Sequence, residues 1–451
     1  MAKIILICPE PIRTQIQGIG IRFIEMARHL ATFHDVSIWT PNQDVAQHYD
    51  IATTPLPDQE GFNTIITTTD IIITHGHISE WYFNMLKTTQ QSNQPWLIVD
   101  LYDPFLIENL QYTLELGTSI FYRDRDLLFA QLKYGDFFLT SSDIQRMFYI
   151  GILTGIGRLV PELYHNDPTL RSLIDTVPFG VTPITCQELN KMHHNIKGTI
   201  HGITHKDIVI FFGGVYDWYD PLLLINICDK LFKQISNLKI IFSINPNQET
   251  TPQGVFKSVM EIAKEHQWIN KNIFFIPWFN YEKRFEYLKD VDIAICLHKP
   301  TIEMELSLRT RVLDYMNVGI ATIATEGGEA SHILKKADAG ILIPYKDADS
   351  LYKAIINLIT SEALRRKLGD NGKNWIQNNM RWEQTLKPLI DFCHTHQKRR
   401  TIQKELSLPL NKALLQHKTT KPSIAHVCQY WKTHGSRQTI KKILFHISQS
   451  L

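Results

Sequence analysis

The chain has 451 residues, 44% of them hydrophobic and 20% charged, with a formal net charge of +2. That length exceeds one ordinary core and that composition excludes a disordered chain, so two domains plus an appendage are expected. Six scattered cysteines without a CxxC pair exclude a disulfide framework and a zinc-thiolate site, which suits a reducing cytoplasm.

The N-terminal "MAKIILICPEP" is too short an apolar run for a signal peptide and reads as a first strand; no run of about 18 apolar residues follows anywhere. Strand candidates then alternate with helix-length amphipathic segments: "KIILIC", "VSIWT", "TIITT", "DIIITHG", "PWLIVDLYD", "DFFLTSS" and "DTVPFGV". Near-continuous apolar strands separated by helices predict a parallel sheet covered on both faces, over residues 1–181. Three loops after strands hold candidate ligand groups. In "QGIGIR", Gly18 and Gly20 open a helix whose free N–H groups suit an anion, with Arg22 beside them. A tight strand–helix turn and a surface ion pair would look the same. In "THGH", His75 and His77 suit a sugar hydroxyl or proton transfer, or are satisfied structural histidines. In "DLYDPF", Asp100 and Asp103 suit a polyhydroxylated ligand, or cap the next helix.

Residues 182–206 break the alternation with Pro, Gly and four histidines (His193, His194, His201, His205), and read as a solvated linker rather than a metal site. Alternation restarts over 207–375 with "DIVIFFGG", "LKIIFSI", "IFFIPW", "VDIAICLH", "IATIAT" and "GILIPY". The fold class is therefore α/β: two doubly wound, Rossmann-like parallel sheets facing a cleft, where ligands bind beyond the carboxyl ends of strands. In "FFGGVYDWYDP", Gly213, Gly214 and Asp217 sit in an acidic, aromatic βα loop, and Asp220–Pro221 starts a helix. In "EMELSLRTRVLDYMNVG", Ser307 is the expected N-cap, with Arg309, Thr310 and Arg311 in the first turn and Asp314 on the same side. Cations there oppose the helix dipole. They fit either a bound diphosphate or a surface network with Glu303 and Glu305.

With this loop order, "GIGIRFIEMARHL", "DLYDPF", "GGVYDWYDP", "EMELSLRTRVLDYMNVG" and "GILIPYKDADSLYKAI" resemble the GT-B glycosyltransferases, specifically the retaining, family-4-like bacterial enzymes, over about residues 3–390. The resemblance implies transfer of a sugar from a nucleotide-diphosphate donor to a glycan or lipid-linked acceptor in cell-surface polysaccharide synthesis. It implies retention at the anomeric carbon and no metal or other cofactor. Residues 1–181 become the acceptor side and 207–375 the nucleotide-sugar side. The family's E-x7-E pattern puts Asp314 in the place of the second Glu, whereas Leu306 stands where the first belongs. Glu303 or Glu305 would then face the donor sugar, and with His75 they form the expected catalytic set. Gly18, Gly20, Arg22, Gly213, Gly214, Asp217, Ser307, Arg309, Thr310, Arg311 and Asp314 form the donor set, and His77, Asp100 and Asp103 the acceptor set. The misplaced Glu leaves one alternative, a GT-B protein without catalysis that binds sugar nucleotide or serves as a partner subunit.

Residues 376–394 read as a closing helix. From 395 to 451 the chain carries 11 Lys/Arg against one Glu, out of 47 and 45 in the whole. Ile440, Ile443, Leu444 and Ile447 repeat at helical spacing beside Arg437, Lys441 and Lys442, a basic amphipathic helix suited to an anionic membrane surface. A docked helix or a solvated tail fits the same pattern. Localisation is expected to be cytoplasmic, peripheral at the inner membrane face if the tail binds there, with no nucleic acid as partner.

Overall fold

The computed structural model describes residues 1–42, 50–76, 93–113, 117–245, 252–396, 398 and 400–401. The first domain contributes strands β1 (Lys3–Ile7), β2 (Asp35–Thr40), β3 (Ala52–Pro55), β4 (Ile71–His75), β5 (Asn93–Gln94), β6 (Trp96–Asp100), β7 (Phe137–Thr140) and β8 (Ile174–Thr176). All but β5 join one parallel sheet in the order β3-β2-β1-β4-β6-β7-β8. The second domain has β9 (Ile208–Gly214), β10 (Leu238–Ser243), β11 (Ile273–Ile276), β12 (Ile293–Cys296), β13 (Ala321–Thr325) and β14 (Gly340–Ile343), in the parallel order β11-β10-β9-β12-β13-β14. Helices around the strands include α1 (Gly18–Ala31), α2 (Gln59–Ile66), α3 (Cys186–Lys191), α4 (Ile302–Leu306), α5 (Arg311–Val318), α6 (Gly328–Ala337), α7 (Glu362–Asn379) and α8 (Lys387–Thr395). Central strands such as Ile4–Ile7 and Ile293–Cys296 are buried along their whole length because helices cover both faces.

Three expectations change. The segment "TIITT" is not a strand: its first three residues end α2, which Asp58 starts by accepting from Gly61 N at 2.9 Å. The polar stretch Ala52–Pro55 takes the edge position instead. Residues 182–206 are exposed over much of their length but are not wholly solvated. Ile184, Ile196 and Ile203 are buried with Val209, Phe211 and Phe274 in the core of the second domain. Asp290 accepts from Ile196 N at 2.9 Å and Lys197 N at 3.0 Å, and pairs with His194, so one buried carboxylate anchors the segment. The stretch has four isoleucines, of which Ile184, Ile196 and Ile203 are buried and Ile200 packs beside them, too few among polar residues to read as core.

The chain also ends differently from a single closing helix. After α7, Trp382 packs on Phe179, and Phe392 of α8 stacks on Phe137 at 4.4 Å, so the segment returns to the first domain. There β15 (Arg400–Thr401) pairs antiparallel with β5. The proposed membrane helix at 437–447, like nearly all of the basic tail, lies outside the described residues. No helix among the described residues is long and apolar enough to cross a membrane.

Candidate active site

Loops following β1, β6, β9, β10 and β11, together with the α4–α5 junction, line a cleft of about 260 Å³ between the two domains. Cross-domain bonds hold its mouth: Gln15 Nε2 donates to Trp278 O at 2.7 Å, and Gln17 Nε2 to Asn245 Oδ1 at 3.1 Å.

On the first-domain side, Gly18 lies beside Tyr102, and Gly20 N donates to Glu10 Oε2 at 3.0 Å. The free amide predicted for an anion is thus met by a carboxylate of the chain itself. Arg22 points the other way, into the sheet. It is fully buried and forks onto Asp100, Nε to Oδ2 at 2.7 Å and Nη2 to Oδ1 at 3.0 Å. Arg22 is therefore corrected from donor binding and Asp100 from acceptor binding: two charges out of water satisfy each other beneath the cleft. His75 is corrected likewise. It ends β4, fully buried between Phe23 and Phe105, and does not line the cleft. His77 lies outside the described residues. Asp103 does line the cleft, with Glu10 and Glu108, which sequence reasoning missed. Burial pushes Glu10 up to about 7, against the Gly20 amide that favours its ionised form. Burial likewise raises Asp103 to about 6, opposed by a hydrogen bond with Glu108. Glu108 is raised further by burial and by the Asp103 and Glu303 carboxylates beside it.

On the second-domain side, β9 ends at Gly213 and Gly214. Gly213 has φ +79°, and a Cβ there would sit 3.1 Å from Tyr315 Oη and 3.2 Å from Arg311 Nη1. Gly214 leaves room for the Trp278 ring, which a Cβ would meet at 2.4 Å. Tyr216 and Trp218 stack at 4.8 Å on the cleft wall. Asp217 faces away, accepting from Val255 N at 3.0 Å, so it supports the start of a helix rather than a donor.

The stretch 303–319 is broken where one helix was expected. Helix α4 stops at Leu306 and α5 starts at Arg311 with Thr310 as N-cap. Ser307 is extended and donates to Glu108 Oε1 at 3.4 Å instead of capping. Buried Leu306 and Leu308 flank that break, and the period cannot show that both turn inward.

The two expected cations separate. Arg309 is buried and ion-paired to Glu303, with its guanidinium 5.3 Å from the Tyr219 ring centre. Arg311 has no carboxylate partner among the described residues. Its Nη1 donates to Phe212 O at 3.0 Å and Gly214 O at 2.7 Å, and it lies 4.3 Å from the Tyr219 ring centre. Asp314 lines the cleft and accepts from Arg284 Nε at 3.1 Å. Arg284, also missed, is held between Tyr281 and Phe285 at 3.9 and 4.0 Å. Glu305 sits at the start of α6, accepting from Gly328 N at 3.3 Å. It is a helix-terminal anion, so of the two glutamates only Glu303 lies beside the cleft-lining Arg309. His298, behind both arginines, is buried and kept neutral: burial, then Arg309 and Arg311, push its imidazole down to about 3.

Four buried polar atoms of the lining have no hydrogen-bond partner among the described residues: Tyr315 Oη, Ser243 Oγ, Trp218 Nε1 and Arg309 Nε. An unpaired cation, the start of a helix, a glycine turn and these groups converge on one wall, as an anionic polar ligand requires.

Residues 197–375 match the family of glycosyl transferases group 1. The fold resembles sucrose-phosphate synthase from Thermosynechococcus elongatus at TM-score 0.62 and 15% identity, covering 88% of this chain and 99% of that one. It also resembles Anabaena HepE, solved with UDP and glucose, at TM-score 0.63 and 12% identity over 88% and 100% of the two chains. The chain has the GT-B glycosyltransferase fold. An uncharacterized glycosyltransferase of Methanocaldococcus jannaschii is 25% identical over 183 residues, 41% of this chain. The match spans 44% of that relative's length, less than half. Within the GT-B frame the matched region is the second domain, which carries Gly213, Arg309, Arg311 and Asp314.

Proposed function

We propose that this GT-B protein transfers a sugar from a nucleotide-diphosphate donor to a glycan or lipid-linked acceptor in bacterial cell-surface polysaccharide synthesis. Arg311 carries the proposal: a cation on the cleft wall, at the start of α5, with no carboxylate partner among the described residues. Departure of the nucleoside diphosphate develops negative charge on a phosphate oxygen. Arg311 and the first N–H groups of α5 are positioned to stabilise it, with Tyr315 Oη and the Gly213 turn alongside. In this reading these groups do the work that a metal ion would otherwise do. Asp314, oriented by Arg284, receives the ribose hydroxyls. Glu303, paired to the cleft-lining Arg309, is assigned to the positive charge that builds at the anomeric carbon. The acceptor attacks from the leaving-group face, and the departing phosphate takes its proton, giving retention. The basic tail is assigned to an anionic membrane surface, where a lipid-linked acceptor would be held at the cytoplasmic side.

Thermal denaturation with a panel of nucleoside diphosphates and nucleotide sugars tests the reading. One base series should raise the midpoint by several degrees, as a ligand at about 100 times its Kd adds roughly 2.7 kcal/mol. A folded protein that no member stabilises contradicts it. Leu306, buried at 3% exposure where a carboxylate was expected, favours one second reading, binding without transfer. Donor binding with no consumption of the bound nucleotide sugar, across an acceptor panel, would select it.

A further inference from the structure

The charges of the cleft divide between its two walls. Arg284 pairs with Asp314 and Arg309 with Glu303, while Arg22 and Asp100 cancel beneath. Among the described residues, what remains without an ion-pair partner is Arg311 on the second-domain wall and three carboxyl groups, Glu10, Asp103 and Glu108, on the first-domain wall. Among the described residues the first-domain lining contains no Lys, Arg or His. Its hydrogen-bond donors are also few. Glu10 has the Gly20 amide, Glu108 has a long bond from Ser307, and Asp103 and Glu108 bond to each other.

A second observation comes from the other side of this cluster. Glu303, at 5% exposure, presents Oε1 with no N–H or hydroxyl donor, and the Glu108 carboxyl is its neighbour. A buried carboxylate oxygen without a donor is costly. Burial, and then the neighbouring carboxylates, raise Asp103 and Glu108, which favours a proton shared between those two, while Glu303 beside them pairs with Arg309. An ammonium group brings three donors, no acceptor and one positive charge, so it can replace a shared proton and bond each carboxylate. A neutral hydroxyl brings one donor and no charge, and an anionic group adds a further like charge.

Building on the sugar-transfer reading, we propose that the acceptor unit entering the first-domain wall carries an ammonium group, as an amine-bearing sugar does. Asp103 and Glu108 bind it, and Glu10 closes the wall beside Gly20. With a diphosphate on Arg311, the same cation also offsets the negative charge that Arg311 alone does not balance. Binding releases a proton, because a cation favours the ionised forms of Asp103, Glu108 and Glu10, whose charged neighbours around the site are Glu303, Arg309 and the more distant Asp100.

Calorimetry on the full chain, saturated with whichever nucleoside diphosphate of the panel binds, tests this with glucosamine, glucose and glucuronic acid. Glucosamine should bind at least tenfold more tightly than glucose and release protons, read as heats that differ between buffers of different ionisation enthalpy. Glucuronic acid should bind more weakly than glucose. Asp103→Asn with Glu108→Gln should abolish the preference and leave diphosphate affinity within about threefold. Glu10→Gln, checked for an unchanged melting temperature, should reduce the preference if the double variant does not fold. Equal affinity for glucosamine and glucose, or no binding of any of the three, overturns the acceptor proposal while diphosphate binding stands. Failure of every diphosphate to bind removes the sugar-transfer reading and this inference with it.

Discussion

Arg22 and Arg311 both follow a glycine-containing βα region in space, and both looked like ligands for a phosphate. Arg22 is fully buried on Asp100, with Pro178 O as a further acceptor at 3.3 Å. Arg311 is turned to the cleft and, among the described residues, meets two carbonyls and a tyrosine ring but no carboxylate. The difference lies in what faces each from another element: β6 ends in a carboxylate beneath α1, whereas β9 ends in two glycines beneath α5. A cation is committed to the fold when a neighbouring strand supplies its charge, and is free for a ligand when that strand supplies backbone alone.

The largest effect should come from the committed one. Arg22→Ala leaves Asp100 buried without its partner and should cost about 3–5 kcal/mol in urea unfolding, a large part of an ordinary domain's stability. A loss below about 1 kcal/mol would mean the pair is dispensable to the fold and return Arg22 to the candidate ligands.

The first-domain wall should also make stability depend on pH. Glu10 and Asp103 have folded-state values of about 7 and about 6, above those of an unfolded carboxyl group. Each binds its proton more tightly when folded. Its stabilising contribution is therefore full below pH 4 and is lost as pH rises through 6 to 7, at roughly 1.4 kcal/mol per unit of difference before solvent screening. Stability should fall from pH 4.5 to pH 7.5 on this account, and Glu10→Gln should flatten part of that fall. A slope that Glu10→Gln leaves unaltered would remove Glu10 from the account.

A smaller effect separates the two glutamates. Glu305→Ala should lower stability by about 1 kcal/mol through the loss of a helix-terminal anion, and leave diphosphate affinity unchanged. A strong loss of affinity from this variant would bring Glu305 back to the donor.

Both parallel sheets were legible in the sequence because strands buried on two faces are continuous apolar runs, and all six strands of the second sheet stand where those runs do. The misreadings share a cause. "TIITT" is β-branched yet helical because Asp58 starts a turn before it, and Ala52–Pro55 is a strand because an edge tolerates polar residues. In the site, Gly213, Arg311 and Asp314 could be found from their position after strands. Partnership could not: that Arg309 pairs with Glu303, Asp314 with Arg284 and Arg22 with Asp100 depends on which elements the fold brings together. Glu10 and Glu108 gave no motif at all, and only the closure of the two domains shows them on one wall with Asp103.

The central claim is that Arg311, not Arg309 or Arg22, supplies the unpaired charge for a diphosphate. Calorimetric titration of Arg311→Ala with the nucleoside diphosphate that stabilises the unaltered protein tests it directly. The predicted result is at least a tenfold loss of affinity, about 1.4 kcal/mol or more, in a protein that still unfolds cooperatively. Unchanged affinity in a folded Arg311→Ala protein would contradict the account.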